Sequence, residues 1–307
     1  MKALFDVVCS AAFLYSILRV STPILFASMG AVVANTAGIP NIALEGIMLT
    51  AAFLGMFGSA ITGSSAAGLL LALLGGTACA ALIAFFTLYY RANVILAGIA
   101  VNSLASGGTV ILLYLFSGNK GSSSSVASGV LPRINLPFIE NIPVLGAVIS
   151  GHNILTYLSV ISVVIVSLLL HKTALGFHIR AVGENPGAAD SVGINVTRVK
   201  ARAVLLSGLL ASMGGVFMSM GYVSWFARDM VAGRGWIAVA AEAMGRSTVA
   251  GTAAAALLFG TADAFSNAAG TLGWPSTLVK TIPYCATLAG LIIFSMRTYR
   301  RSKIKRA

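Results

Sequence analysis

Long apolar stretches separated by short polar ones dominate the sequence. The clearest are 67–88, 94–116, 154–170, 204–223 and 278–296, and less regular ones are 3–18, 21–35, 42–58, 236–250 and 253–268. A helix that spans a bilayer needs about 20 apolar residues. The pattern therefore predicts an all-α polytopic membrane protein with about 8–10 membrane segments. Some of these are too short or too broken to cross alone, and re-entrant segments are expected among them.

Composition supports a lipid environment for the whole chain. Of its 307 residues 58% are hydrophobic and only 9% are charged, and the mean hydropathy is +0.93. A soluble domain would carry about 25% charged residues. We therefore treat 1–307 as a single transmembrane domain. The N-terminal run, in which Asp6 follows Lys2 closely, is interpreted as a retained membrane or interfacial segment rather than a cleaved signal peptide.

The basic residues are concentrated in two hydrophilic stretches, 171–203 and 297–307, and the net charge is +12. In a soluble protein this balance would indicate nucleic acid, but here it fits the excess of Lys and Arg in cytoplasmic segments. Both stretches, including the C-terminus, are expected to be cytoplasmic, and 117–153 is expected to lie outside. The tail directly follows a membrane segment, so membrane lipid is its expected contact and nucleic acid is not.

Residues 38–46, GIPNIALEG, interrupt the apolar pattern. Gly38 can end one helix and Pro40 suits the first turn of the next. Asn41 can cap backbone N–H groups, and Glu45, one turn further, would project from the same face. The segment is either a helix hairpin at the membrane surface or a discontinuous helix that points into a polar cavity. The second interpretation is favoured, because carboxylates within membranes are usually functional.

A second break, AGRGWIAVAAEAMG, occupies 232–245. Its Gly, apolar and Glu pattern loosely resembles the first, and the flanking apolar segments correspond as two repeated halves. Paired interrupted segments of this kind point to the binding site of a transporter. The remaining charges at membrane depth are Glu242, Asp263 and Lys280, which could either line a path or pair with a neighbour.

The most polar internal stretch is GFHIRAVGENPGAADSVGINVTRVK, residues 176–200. Pro186 can begin a short amphipathic helix there and Gly193 can end it. Two interpretations stay open. The helix could dock into the groove of a partner, or the loop could simply be solvated and carry positive charge.

Several chemistries lack their sequence signatures. No G-x-x-x-x-G-K-[ST] motif, Ser–His–Asp signature or H-E-x-x-H motif occurs, and the histidines and cysteines have no ligand or disulfide spacing. We therefore expect no enzyme activity, no catalytic residues, no cofactor and no metal site.

Three segments together resemble a known family: NIALEG after a Gly-containing break, the 176–217 stretch from GFHIR to GGVF, and AGRGWIAVAAEAMG, followed by a last apolar span and a basic tail. They resemble inner-membrane permeases of ATP-binding-cassette importers for ribose, branched-chain amino acids and nucleosides. The resemblance covers about 20–296, and the shorter permease of nucleoside uptake systems is the most similar type. It implies a nucleoside importer subunit; the alternatives are a ribose-like sugar permease and an ion-coupled secondary transporter.

The resemblance also implies site residues and partners. The residues that it assigns to a loop contacting the ATPase are Gly183, Glu184, Asn185, Pro186, Ala188, Ala189, Gly193 and Ile194. Those that it assigns to the substrate path are Asn41, Glu45 and Gly46, with Tyr222 and Trp225 as candidates for stacking on a base or for an interfacial aromatic belt. Relatives usually carry an apolar residue at Glu242. The implied partners are an ATPase subunit, a second and different permease chain, and an extracytoplasmic substrate-binding protein.

Overall fold

The protein is described from a computed structural model that covers residues 10–126, 128–137 and 145–271, with positions 275, 279, 281–283, 285–290, 292 and 296. Residues 1–9, Lys280 and the basic tail 297–307 lie outside the described residues. Predictions about these parts of the chain therefore stay predictions.

Helices dominate the described residues. In chain order they are α1 (Ala11–Thr36), α2 (Leu44–Thr62), α3 (Ser65–Ala84), α4 (Val94–Ser117), α5 (Leu145–Ile149), α6 (Ile154–Lys172), α7 (Ala174–Glu184), α8 (Pro186–Ser191), α9 (Val196–Val216), α10 (Arg234–Met244) and α11 (Val249–Thr271). Short π-helical segments extend α3 over Phe85–Tyr89 and α9 over Phe217–Tyr222. The strands are β1 (Arg133–Ile134) and β2 (His152–Asn153), which pair antiparallel.

Within the described residues, seven helices are long and apolar enough to cross a membrane. They are α1, α2, α3 with its π extension, α4, α6, α9 with its π extension, and α11. The predicted all-α polytopic membrane fold is confirmed. The prediction counted more segments because it divided residues 11–36 in two, included the short helix α10, and included 278–296, which lies largely outside the described residues.

Two predicted segments differ from the observed helices. The stretches 3–18 and 21–35 were expected as separate segments, yet residues 11–36 form the single helix α1, with Pro23 inside it. The stretch 236–250 overlaps α10, which begins at Arg234 and has 11 residues. At 1.5 Å per residue α10 is about 16 Å long and cannot cross a bilayer of about 30 Å. The expectation that some of the predicted segments are too short to cross alone is confirmed for this one.

Helix α1 lies at the centre of the bundle. Its span is 83% buried, against 22% for α4. Side chains from Ile24 to Met29 are among the fully buried ones, and they pack against α9, α10 and α11. The helices on the periphery, α3, α4 and α6, expose long rows of Leu, Ile and Val, as expected for surfaces that face lipid.

The two ends of the bundle carry different connections. Backbone and side-chain hydrogen bonds join Ser123 to Phe226, and Ser122 pairs with Ala227. Residues 121–123 and 226–228 thus meet at the end where α6 begins. The loop 172–196 lies at the other end, where α6 finishes. The predicted outer and cytoplasmic loops are therefore on opposite ends of one helix.

We expect opposite labelling of these two ends. In a variant without native cysteines, Ser124→Cys, at an exposed position, should react with an impermeant thiol reagent in intact cells. Ser191→Cys, at an exposed position of α8, should react only after permeabilisation. Labelling in the reverse order would contradict the orientation given by the basic residues.

Candidate functional site

The first break begins with a Schellman motif at the end of α1. Gly38 has φ +71°, its N–H donates to the Asn35 carbonyl at 2.9 Å, and the Ile39 N–H donates to the Ala34 carbonyl at 3.2 Å. A left-handed residue of this kind is usually glycine. The prediction that Gly38 ends a helix is confirmed.

Asn41 anchors the break inside the bundle. Its Nδ2 donates to Ser207 Oγ of α9 at 3.0 Å, and its Oδ1 accepts from the Ala43 N–H at 3.1 Å. The residue is buried. Helix α2 begins at Leu44, so Pro40 precedes the helix and does not occupy its first turn. Asn41 thus stabilises irregular backbone instead of capping a helix.

Glu45 caps a helix that lies far away in the sequence. Its Oε1 accepts from the Gly233 N–H at 2.8 Å and its Oε2 accepts from the Gly235 N–H at 2.7 Å. These are N–H groups at the start of α10, whose N-cap residue, Gly233, has no side chain to offer. The carboxylate therefore satisfies two orphan donors and places negative charge at the positive end of the helix dipole.

Asn41 and Glu45 do not project from a common face, which corrects the expectation from their spacing. Residues 41–43 are not helical, so the i, i+4 rule does not apply across them. Asn41 points to α9 and Glu45 to α10. The two side chains instead fix the break to two different helices.

Gly46 allows close packing of α4 on the start of α2. Its N–H donates to Asn102 Oδ1 at 2.7 Å, and a Cβ at Gly46 would lie 2.8 Å from the Asn102 Cα. Asn102 Nδ2 donates to the Ile42 carbonyl at 3.0 Å. Asn102 thus bridges the break and the first turn of α2. Sequence reasoning missed it, although a lone Asn inside the apolar stretch 94–116 was a usable signal.

Among the described residues, Glu242 and Asp263, which the sequence also places at membrane depth, have partners. Arg234 of α10 forms an ion pair with Asp263 of α11 at 2.9 Å, with side chains only 18% and 12% exposed. Glu242 Oε1 accepts from Asn35 Nδ2 at 2.7 Å and from Ser247 Oγ at 2.6 Å. The sequence left two roles open for Asp263 and Glu242. In the structure both side chains interact with a neighbour. Together they tie α10 to α11 and to the last turn of α1.

Tyr222 and Trp225 lie well away from the first break. Tyr222 ends the π segment after α9, and the Arg19 guanidinium lies 4.2 Å from the centre of its ring and donates to its carbonyl. Trp225 is 37% exposed. Ser207, the partner of Asn41, is 15 residues before Tyr222, which corresponds to about 22 Å along a helix. The structure thus does not bring the two aromatic residues to Asn41.

The loop between α6 and α9 is a chain of individually capped helices. Thr173 Oγ1 caps α7, Asn185 Oδ1 caps α8, and Asn195 Oδ1 caps α9, at 2.9–3.1 Å. Gly193, with φ +84°, ends α8 in a second Schellman motif. The predicted short helix from Pro186 to Gly193 is confirmed as α8, and the caps make the loop a structured element.

Most residues predicted for the coupling loop are at its surface. Glu184, Asn185, Pro186, Ala188 and Gly193 are exposed, Gly183 and Ile194 are half-buried, and Ala189 is buried. Val192 is 75% exposed and Phe177 is 53% exposed, and neither was singled out from the sequence.

The loop touches the first break through Gly183. A Cβ at Gly183 would overlap the Thr36 carbonyl oxygen and lie 3.4 Å from the Gly38 nitrogen. Helix α7 therefore rests on the end of α1 with only hydrogen atoms between the two backbones. Sequence reasoning placed Gly183 in the loop and Gly38 in the break, but it did not connect them.

The comparisons with known proteins cover nearly the whole chain. The family described as "Branched-chain amino acid transport system / permease component" matches residues 13–296. The chain is 33% identical to the nucleoside ABC transporter permease protein NupC of Lactococcus lactis subsp. cremoris. It is 31% identical to the guanosine ABC transporter permease protein NupQ of Bacillus subtilis. Each alignment covers 89% of both chains.

A solved structure described as PsaBC from Streptococcus pneumoniae in complex with Fab has a similar fold. The TM-score is 0.50 over 94% of this chain and 95% of that chain, at 12% sequence identity. At this identity the likeness supports the fold alone.

We expect Glu45 to be needed for the stability of the bundle. Glu45→Leu leaves the Gly233 and Gly235 N–H groups without their acceptors, at about 1–3 kcal/mol each. Glu45→Gln keeps one acceptor oxygen and should cost less. Thermal unfolding of the solubilised protein should therefore show midpoints in the order wild type, Gln, Leu.

Glu184→Leu serves as the control, because Glu184 is an exposed glutamate in the loop. Its unfolding midpoint should match that of the wild type. A Glu45→Leu protein as stable as the wild type would show that α10 does not depend on this cap.

Proposed function

The chain belongs to the permease family of branched-chain amino acid transport systems, and on that premise we propose that it forms the membrane path of an ATP-binding-cassette importer for nucleosides. The substrate class is inferred from one observation. Relatives named for nucleoside and guanosine transport align with 89% of the chain at 33% and 31% identity. Seven candidate spans and a helix too short to cross a membrane, found among the described residues, are compatible with this role.

The substrate path in this proposal runs beside the first break and the half-helix α10. Asn41, Glu45 and Gly46 are assigned to this path because they lie in the first break. Glu45 acts by holding α10 in place, since both of its oxygens are used by backbone N–H groups. Tyr222 and Trp225 provide aromatic surface nearer the outer end, where a base can stack. A neutral nucleoside requires only modest polarity along such a path.

The capped loop is the proposed contact for the ATPase subunit. Its exposed apolar side chains, Val192 and Phe177, supply surface to bury, and the caps of α7, α8 and α9 let the loop move as one piece. Because Gly183 lies against Thr36 and Gly38, a displacement of α7 acts directly on the first break. This contact links ATP hydrolysis to access in the membrane.

A second permease chain is the proposed cover for part of α4. Only 22% of the span of this helix is buried, and Ser103 and Ser106 are among its exposed residues. Hydroxyl groups in membrane helices usually face other helices or a water-filled path, and small side chains allow close approach. We place the assembly in the cytoplasmic membrane, with the 171–203 loop and the C-terminal tail inside and a substrate-binding protein outside.

Uptake measurements test the proposal. Deleting the gene should abolish uptake of labelled guanosine, and a plasmid copy should restore it, while uptake of glucose and leucine should be unchanged. Depleting ATP under an imposed ion gradient should stop uptake. Continued uptake under that gradient would identify an ion-coupled carrier, and loss of glucose or leucine uptake instead would overturn the substrate class.

The contact between loop and break gives a separate prediction. In Gly183→Ala the new methyl group must displace the Thr36 carbonyl, so substrate-stimulated ATP hydrolysis and uptake should no longer be coupled. Uptake should fall at least tenfold while ATP hydrolysis persists in purified complexes. Gly187→Ala is the matched control, because a Cβ there meets only the Asn185 side chain, at 3.5 Å. Wild-type uptake in Gly183→Ala would show that α7 does not act through this contact.

A further inference from the structure

A polar cavity opens at the end of the bundle where α1 and α6 begin. Its volume is about 120 Å³. It lies between the start of α1, the start of α6 and the π segment that follows α9. The lining residues are Tyr15, Arg19, Arg133, His152, Asn153, Thr156, Phe217 and Gly221. None of the sequence motifs and none of the proposed path residues belongs to it.

The charge of the cavity comes from two arginines. Arg133 is exposed on β1, in register with Asn153 on β2, and Arg19 is half-buried against Tyr222. None of the described lining residues is acidic. The start of α6, which Asn153 caps, adds the partial positive charge of a helix N-terminus.

His152 completes the wall without adding charge. Its ring is stacked on Tyr15 at 3.8 Å with an angle of 10° between the planes, and its Nε2 is 2.9 Å from the Val148 carbonyl. Burial lowers the pKa of His152, and the nearby Arg19 guanidinium lowers it further. The lowered pKa favours the neutral imidazole, so the positive charge of the cavity comes from the two arginines.

The location and size of the cavity indicate its ligand. Segments outside the cytoplasm are normally depleted of Arg and Lys, so two arginines on one cavity at this end need a reason. A volume of about 120 Å³ is below the about 300–1,000 Å³ of pockets for drug-sized ligands. A cavity of this volume suits a small group, and a carboxylate on its methylene carbons is of that size. The planar guanidinium fork of Arg matches a carboxylate with two parallel hydrogen bonds.

We propose that this cavity receives the carboxylate of an Asp or Glu side chain from the extracytoplasmic substrate-binding protein. This proposal rests on the proposed function, because that function supplies the partner. Arg133 forms the accessible rim and contacts the incoming carboxylate first. Arg19, held by its hydrogen bond to the Tyr222 carbonyl at 2.9 Å, is the fixed inner charge. Docking would thus bring the receptor next to Tyr222 at the end of α9.

Charge reversal at the rim tests the docking site. The complete importer, in nanodiscs, is titrated with its purified substrate-binding protein for the wild type, Arg133→Glu and Lys120→Glu. Lys120 is the matched control, because it is an exposed cation of the same outer segment but does not line the cavity. Arg133→Glu should weaken receptor binding at least tenfold and flatten its salt dependence, while Lys120→Glu should bind as the wild type does.

Suppressors then identify the partner group. Variants that restore uptake to Arg133→Glu cells should carry a Lys or Arg in place of an Asp or Glu on the receptor. Suppressors at Glu140 of this chain, which lies outside the described residues, would instead show an internal ion pair and overturn the proposal. Receptor binding that is unchanged by Arg133→Glu would overturn the docking site alone. A wild-type importer that binds no receptor would overturn both this site and the proposed function.

Discussion

The bundle depends on one carboxylate that caps a helix from a distance. Glu45 accepts from the backbone N–H groups of Gly233 and Gly235, and these belong to a half-helix that begins inside the protein. In lipid every backbone polar group needs an internal partner, so a helix that starts at membrane depth requires such a cap. A Cβ at Gly235 would overlap the Glu45 backbone nitrogen, so the cap also demands glycine there. A carboxylate is costly to bury, and its role as the cap of α10 explains why Glu45 is there. The same cap explains how α10 can begin inside the protein.

The same constraint explains the polar residues around the breaks. Asn102 bridges Ile42 and Gly46, Asn41 reaches Ser207, and each supplies a side chain to irregular backbone. These groups let the protein keep two non-helical segments within an apolar bundle. Irregular backbone can change conformation at lower cost than a continuous helix, which suits a membrane path that must open and close.

Glycine contacts connect the breaks to the proposed cytoplasmic surface. Where Gly183 meets Thr36 and Gly38, two backbones approach without side chains between them. In the proposed mechanism this contact passes a displacement of α7 to the first break, because no flexible side chain lies between the two backbones. The capped loop, the first break and the half-helix are therefore one connected structure that runs from the proposed ATPase contact to the proposed path.

The sequence alone determined what depends on local pattern. Apolar length predicts the spans, and Gly38, Pro186 and Gly193 predict where helices begin and end, because helix starts and left-handed turns involve near neighbours. The long-range partners were decided only by the tertiary structure. Glu45 is 188 residues from Gly233, and no local rule pairs a carboxylate with backbone amides that distant. The continuity of α1 and the polar cavity between α1, α6 and α9 likewise arise from packing between segments remote in sequence.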